Sequence, residues 1–194
     1  MRGLNKIVVI GPESTGKSTL CEQLSVHYGT VWCREYAREY LLKNGTDYSF
    51  DDLLTIAKGQ LQLEEEAIQQ VCSNTMSPEE YSSDRRLLFI DTDMYVMKVW
   101  CEFVFGKCHR WILDQIVERK YDLYLLCNTD LPWVKDELRE YPDFESRQKL
   151  YTIYKDILIN QSVPWADISG SYEQRFEKAR AAVDALMRQC EGQT

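Results

Sequence analysis

The sequence predicts an α/β fold in which a mostly parallel sheet of about five strands lies between two layers of helices. Five short apolar runs alternate with longer segments in which apolar residues recur at helical spacing. This alternation is typical of a parallel sheet covered on both faces, a three-layer sandwich. The chain has 194 residues, a length typical of one domain, so we expect 1–194 to form a single unit.

The predicted elements follow one another in order. The apolar runs that we interpret as strands are 6–10, 30–33, 87–90, 123–127 and 164–168. The segments with helical periodicity are about 16–28, 35–44, 53–71, 94–105, 110–119, 150–158 and 172–186. Ser171 and Gln174 have the spacing of a capping box for the last helix. We expect the acidic run 64–66 to lie mostly on the solvent-facing side of its helix, and the polar stretch 73–86 to be a surface loop.

Charge and cysteine content argue against several classes of protein. The net charge of −8, with no stripe of Lys and Arg, argues against a nucleic-acid-binding surface. Seven cysteines, an odd number without a C-x-x-C pair, predict reduced thiols in a cytoplasmic protein. The apolar runs are too short to span a membrane, and the first strand begins so near Met1 that we expect no signal peptide.

A glycine-rich turn between the first strand and the first helix fits G-x-x-x-x-G-K-[ST], the phosphate-binding loop or P-loop. Two glycines let the backbone N–H groups approach a polyphosphate, Lys17 can reach the β- and γ-phosphates, and Ser18 can bind Mg²⁺. The pattern predicts a P-loop NTPase that resembles nucleoside and nucleotide kinases, with ATP and Mg²⁺ as cofactors. The predicted nucleotide-binding residues are Gly11, Glu13, Ser14, Thr15, Gly16, Lys17, Ser18, Thr19 and, near the adenine, Tyr172.

Two carboxylates follow the third strand at the edge where ligands of parallel sheets bind. Asp91 comes directly after four apolar residues, as at the acidic end of a Walker B strand, and is the second candidate ligand for Mg²⁺. Asp93 is a candidate for acceptor binding and catalysis. A helix cap or a turn carboxylate is the alternative interpretation of both residues.

The residues after the second strand are candidates for binding an acceptor. Glu35 can act as a base toward an acceptor hydroxyl, and Tyr36 and Arg38 can bind its ring or its hydroxyls. The alternatives are an exposed glutamate at the start of a helix for Glu35, and packing or a surface position for the other two.

The polar segment 128–147 has the composition of a lid. Its closure would exclude water and bring an arginine to the transferring phosphate, with Arg139 and Arg147 as the catalytic candidates and Lys135 as a weaker one. For each of these residues, an ordinary solvated surface position is the alternative.

Four segments together resemble the ribosylnicotinamide kinase domain of NadR-type proteins. They are GPESTGKSTL, EYARE, FIDTD and the tryptophan-containing stretch 129–139, in this order and at these separations. The resemblance extends over about 5–187. It implies a kinase that uses ATP and Mg²⁺ to phosphorylate the 5′-hydroxyl of nicotinamide riboside for NAD salvage. It also implies that Glu35, Tyr36, Arg38 and Asp93 lie toward the acceptor, with Lys17, Ser18 and Asp91 toward ATP and Mg²⁺.

Two alternatives remain open at this point. The acceptor can be another nucleoside or a nucleotide, or the protein can be a regulatory ATPase or nucleotide switch without an acceptor. NadR-type proteins usually carry a DNA-binding region and an adenylyltransferase domain before the kinase. Since the first strand begins near Met1, we expect neither of these activities here.

Overall fold

The computed structural model describes residues 3–73 and 86–191, with the side chains of the last two excepted, and its strands form a single five-stranded sheet. The strands are β1 Leu4–Ile10, β2 Trp32–Cys33, β3 Arg86–Asp91, β4 Leu123–Cys127 and β5 Trp165–Ile168. The helices are α1 Lys17–Tyr28, α2 Tyr36–Asn44, α3 Phe50–Ser73, α4 Met94–Phe105, α5 Arg110–Glu118, α6 Phe144–Ile159 and α7 Tyr172–Glu191. The predicted loop at 73–86 falls almost wholly outside the described residues.

All neighbouring strands of the sheet are parallel, in the order β2-β3-β1-β4-β5. The chain first builds the sheet on one side of β1 and then, after β3, crosses to the other side. The carboxyl end of β1 is therefore the topological switch point, where open parallel sheets bind ligands. The sequence-based prediction of a parallel α/β fold is confirmed.

Hydrophobic packing on both faces produces the three layers. On one face, side chains of α1 and α7 such as Leu24 and Val183 cover Ile7, Val9 and Phe89 of the sheet. On the other face, α3, α4 and α6 cover the alternate strand residues, which include Val8, Ile10 and Leu126. The central strands are apolar at successive positions because both of their faces are buried. A third cluster joins α2, α3, α4 and α5 beside the sheet.

The predicted capping box is confirmed, and Glu65 and Glu66 of the acidic run are exposed as expected, whereas Glu64 is not. Ser171 and Gln174 exchange backbone-to-side-chain hydrogen bonds of 2.9 and 3.3 Å at the start of α7. Glu64 is buried and accepts bonds from Lys6, Arg119 and Tyr121. Three consecutive residues of a helix point in different directions, so one member of the acidic run faces inward. That member is Glu64, which contacts the cations Lys6 and Arg119.

In the described part of the chain, no helix has the length and apolar composition needed to cross a bilayer. The six cysteines described are free thiols.

Candidate functional site

A cavity of about 270 Å³ opens at the carboxyl edge of the sheet. The residues of the P-loop, 11–19, form one side of it. The opposite side is mostly apolar and aromatic, and it consists of Ala37, Leu41, Val96, Trp100, Phe103, Leu150 and Tyr154. Glu35 and Arg38 lie between the two sides, and residues 138–141 cover them. The cavity thus joins a polar, phosphate-binding half to a pocket with aromatic walls.

The two glycines of the P-loop are required by space and by backbone conformation. A Cβ atom at Gly11 would lie 2.6 Å from the carbonyl oxygen of Cys127 in β4. Gly16 has a φ of 78°, in the left-handed region, and forms the N-cap of α1. The ammonium of Lys17 donates to the carbonyl of Pro12 across the loop at 3.1 Å, and the hydroxyl of Thr15 donates to the same oxygen. These two bonds close the loop into a compact turn.

Ser18 and Asp91 meet at the entrance to α1. The hydroxyl of Ser18 donates to Oδ2 of Asp91 at 2.5 Å, whereas the buried Oδ1 has no hydrogen-bond partner among the described residues. Burial, and to a smaller extent the nearby charge of Glu35, raises the pKa of Asp91 above its ordinary value. A partnerless carboxylate oxygen beside a hydroxyl matches the oxygen ligands that Mg²⁺ prefers, so the residues present fit this ion.

Asp91 and Asp93 are both buried and neither lines the cavity, but their carboxylates have different partners. Between them Thr92 is buried and has a φ of 78°, a left-handed conformation that is strained for a β-branched residue. Oδ1 of Asp93 accepts from the backbone N–H groups of Tyr95 and Val96, and Oδ2 accepts from the hydroxyl of Tyr124. Burial raises the pKa of Asp93 to about 7, although the bond from Tyr124 opposes the shift. Asp93 is the N-cap of α4, one of the two alternatives that the sequence leaves open.

Glu35 lines the cavity at the first residue before α2. Its carboxylate accepts from the hydroxyl of Thr92 at 3.4 Å, which keeps it beside the end of β3. The side chain of Gln60 connects the start of α2 to the end of β3. It accepts from the backbone N–H of Tyr36 and donates to the carbonyls of Arg34 and Asp91. Glu35 is thus a half-buried carboxylate that faces the cavity from a fixed backbone.

Tyr36 and Arg38 occupy different surroundings. The ring of Tyr36 packs against the backbone of Gly59 in α3, where an added Cβ would lie 2.2 Å from the ring, and it does not line the cavity. Arg38 lines the cavity and pairs with Asp136 through two bonds of 3.0 and 3.3 Å. The predicted acceptor side chains Glu35 and Arg38 therefore come together at the cavity, whereas Tyr36 and Asp93 do not.

The segment 128–143 folds over the P-loop without regular secondary structure. The carboxylate of Glu13 accepts from the backbone N–H groups of Glu140 and Tyr141 at 3.0 and 2.6 Å. The hydroxyl of Ser14 accepts from the N–H of Val134 at 2.9 Å. Side chains that the sequence assigns to nucleotide binding therefore hold the covering segment in place.

The two candidate arginines of this region are separated by the start of α6. Arg139 lines the cavity, and its guanidinium donates to the carbonyl of Val134. Arg147 lies in the first turn of α6, is 3% exposed and donates to the carbonyls of Ser14, Thr129 and Leu131. It does not line the cavity, whereas Arg139 does.

Tyr172 begins α7 and lies against the outside of the P-loop. A Cβ at Gly16 would be 3.3 Å from its ring and 3.2 Å from the side chain of Leu131. The tyrosine is half exposed and does not line the cavity.

Two buried polar residues at this edge were missed by the reasoning from sequence. Gln60 lies on the inward face of α3 and is 1% exposed. Arg175 of α7 is 2% exposed and donates to the carbonyls of Thr15, Asn128 and Gly170 as well as to Asp130. The signal available in the sequence was their position, because each is a polar residue on an otherwise apolar helical face.

A phosphate-binding loop at the switch point of an all-parallel, helix-covered sheet defines a P-loop protein with the nucleotide-kinase fold. Residues 6–175 match the family model described as an AAA domain, and the chain belongs to this family.

A curated relative carries the resemblance further. The chain is 26% identical over 186 residues to the trifunctional NAD biosynthesis/regulator protein NadR of Escherichia coli (strain K12). The match covers 93% of this chain and 42% of the relative, so the chain spans less than half the length of that protein.

Solved structures share the fold at low sequence identity. The crystal structure of NadR protein in complex with NR has a TM-score of 0.70 at 22% identity, covering 94% of this chain and 49% of that one. A NadR structure with NAD and AMP-PNP has a TM-score of 0.65 at 21% identity, covering the same shares. Thymidylate kinase from Ehrlichia chaffeensis has a TM-score of 0.59 at 15% identity, covering 92% of this chain and 98% of the enzyme.

Proposed function

We propose that the protein is an ATP-dependent kinase that phosphorylates the 5′-hydroxyl of nicotinamide riboside to give nicotinamide mononucleotide. The observation that carries the proposal is the single cavity in which the P-loop, the carboxylate of Glu35 and an aromatic wall meet. A nucleotide switch needs the phosphate-binding half alone, whereas a kinase also needs an acceptor pocket beside it. The similarity to NadR, and the NadR structure with NR, support nicotinamide riboside as the occupant of that pocket.

ATP would occupy the P-loop half of the cavity. Backbone N–H groups of 11–19 and the ammonium of Lys17 would neutralise its β- and γ-phosphates, with the adenine near Tyr172. Ser18 and Asp91 would hold Mg²⁺, which supplies further neutralisation of the phosphate charge. Arg139 is the arginine of the covering segment that faces the cavity, and we propose that it contacts the transferring phosphate.

The acceptor would lie against the aromatic wall with its hydroxyl at Glu35. As the hydroxyl oxygen bonds to the γ-phosphorus, the bond from that phosphorus to the ADP oxygen breaks and the proton passes to Glu35. We assign this role to Glu35 because both oxygens of Asp93 are already bonded to the protein. Arg38 would contact the hydroxyls of the sugar. We also propose that the protein acts in the cytoplasm, where its proposed substrates would be available.

The test is ADP production from Mg-ATP with nicotinamide riboside, thymidine or deoxycytidine as acceptor. We expect turnover to rise with the riboside and its phosphorylated product to be found by mass spectrometry. Lys17→Ala should abolish turnover with every acceptor. Turnover with thymidine but not with the riboside would contradict the proposed acceptor. Turnover that no acceptor raises would favour a regulatory ATPase.

A further inference from the structure

Two buried arginines lie behind the P-loop, on the side opposite to the cavity. Arg147 comes from the start of α6 and Arg175 from the first turn of α7, and they are 3% and 2% exposed. Neither lines the cavity. Because they are buried, these arginines do not contribute to solubility. Burying a guanidinium group is unfavourable unless its charge is compensated and its N–H groups form hydrogen bonds.

Each arginine donates to the carbonyl of a different P-loop peptide. Arg147 reaches the carbonyl of Ser14 at 3.4 Å, and Arg175 reaches that of Thr15 at 3.0 Å. In a planar trans peptide, the C=O bond and the following N–H bond point in opposite directions. A carbonyl held toward an arginine therefore turns the next N–H away from it. The N–H groups concerned belong to Thr15 and Gly16, within the glycine-rich turn that cradles phosphates.

The same guanidinium groups also bond to the loops that follow β4 and β5. Arg147 donates to the carbonyls of Thr129 and Leu131 at 3.4 and 3.2 Å. Arg175 donates to the carbonyls of Asn128 and Gly170, each at 2.9 Å, and pairs with Asp130. The planar fork of an arginine can join such neighbouring loops, whereas the single point charge of a lysine cannot. The shape of the P-loop is thus tied to the two strand ends beside it.

The charge of Arg147 is poorly compensated. Among the described residues it forms no ion pair, its Nε has no hydrogen-bond partner, and burial lowers its pKa. The charge of Glu13 opposes this lowering of the pKa, although its carboxylate forms no ion pair with Arg147. Because the positive charge of Arg147 has no carboxylate partner in the part of the chain that the structure describes, it can attract a polyanion such as a phosphate chain bound on the other side of the P-loop peptides.

We propose that Arg147 and Arg175 are positioning residues that hold the peptides of the P-loop with their N–H groups toward the phosphates and add positive potential from behind. This role departs from the direct phosphate contact that the sequence suggests for Arg147, and Arg175 acquires a role for the first time. The inference rests on the proposed function only in that a nucleotide occupies the loop. It holds whatever the acceptor is.

The test measures binding of tripolyphosphate and of Mg-ADP by titration calorimetry, without any acceptor. Arg175→Lys and Arg147→Lys, which keep the charge but lose the fork, should weaken the affinity for tripolyphosphate about tenfold or more. The control is Arg180→Lys, a partly exposed arginine of α7 that pairs with Glu177 and Asp184 instead of the P-loop, and the affinity should change less than about twofold. In turnover assays the two variants should raise the KM for ATP and leave the KM for the acceptor unchanged.

A second variant separates positioning from simple structural support. Arg147→Met removes the uncompensated charge, so the melting temperature should stay within a few degrees while the affinity for tripolyphosphate falls. Folded Arg147→Met and Arg147→Lys proteins that bind tripolyphosphate like the wild type would overturn the inference, even if Arg175→Lys fails to fold. A wild-type protein without affinity for tripolyphosphate would overturn it as well. Failure to phosphorylate nicotinamide riboside, in contrast, would overturn only the proposed acceptor.

Discussion

Two aspartates separated by one residue have different surroundings at the end of β3. Asp91 meets Ser18 at the P-loop, whereas Asp93 caps α4 and is bonded to Tyr124. The left-handed backbone of Thr92 makes this possible, because in a regular extended chain residues i and i+2 would point to the same side. The left-handed backbone at Thr92 therefore separates the proposed Mg²⁺ ligand Asp91 from Asp93, the cap of α4.

The first prediction at this scale concerns Glu35. Glu35→Gln keeps the size of the side chain but removes its ability to accept a proton, so kcat should fall about a hundredfold while the affinity for Mg-ADP stays the same. Steady-state kinetics and calorimetry provide the two measurements. Glu39→Gln, one turn further along α2 and exposed, is the matched control and should be silent. A collapse of ADP affinity in Glu35→Gln would place the residue on the nucleotide side.

The second prediction concerns the buried carboxyl of Asp93, whose pKa is raised to about 7 from an ordinary value of 3.8. Because the folded protein holds this proton more tightly than the unfolded chain, the stabilising contribution is fully present below pH 4. It is lost as the pH rises through about 7, on the order of 1.4 kcal/mol for each pH unit. Asp93→Asn retains an oxygen for the cap of α4, so its free energy of unfolding should fall less between pH 4 and 8.

Urea denaturation at several pH values, with EDTA present, makes this comparison. A variant whose free energy of unfolding falls as steeply with pH as that of the wild type would show that Asp93 is not the group responsible.

At the scale of elements, the covering segment 128–143 is held by side chains of other elements. Glu13 binds two of its backbone N–H groups, Ser14 a third, and Arg38 of α2 pairs with Asp136. The bonds to Glu13 join a carboxylate to backbone donors and are the stronger kind. The pair with Asp136 leaves Arg38 half exposed and is therefore screened by solvent.

The third prediction follows from this difference. Glu13→Ala should speed hydrogen–deuterium exchange at the amides of Glu140 and Tyr141 about tenfold or more, because each loses a charged acceptor. Asp136→Asn, which weakens an exposed ion pair, should change these rates less than about threefold. Exchange followed by mass spectrometry on peptides from 134–143 measures both. Equal effects of the two variants would mean that Glu13 is not the main anchor of the segment.

The fourth prediction concerns Glu64, which joins α3 to β1 and to the chain after α5. Its carboxylate is buried and accepts from Lys6, Arg119 and Tyr121, so Glu64→Ala leaves the mostly buried Lys6 without its carboxylate partner and Arg119 with Glu65 alone. The free energy of unfolding should fall by about 3–5 kcal/mol.

The neighbouring Glu65 supplies the control. Glu65→Ala removes a half-exposed carboxylate and leaves Arg119 paired with Glu64, so it should cost less than about 1 kcal/mol. Urea denaturation measures both variants. Similar losses in the two would show that the buried network adds nothing beyond surface pairing.

At the scale of the whole molecule, the sheet order explains why distant segments share one site. Because β1 lies centrally between β3 and β4, the loops after β3 and β4 flank the P-loop. Helices α6 and α7 then bring Arg147 and Arg175 behind it. The covering segment leaves β4 and returns over the loop before α6 begins. One continuous edge therefore carries the P-loop, the cavity beside it and the residues that support both.

The sequence by itself determined the class of fold, the P-loop with Lys17 and Ser18, and most strand and helix bounds to within a few residues. These features depend on local periodicity and on short-range spacing, which are visible in the order of residues. The start of α6 is the exception, because it lies at Phe144, inside the segment 128–147 that the composition assigned to a lid. Only the tertiary structure decided that Asp93 and Tyr36 do not line the cavity, that Arg147 and Arg175 lie behind the P-loop, and that Glu64 is buried. Each of these depends on which element packs against a given side of a helix or a strand end. Periodicity shows that a side faces inward, but the partner it meets there comes from residues far away in the chain.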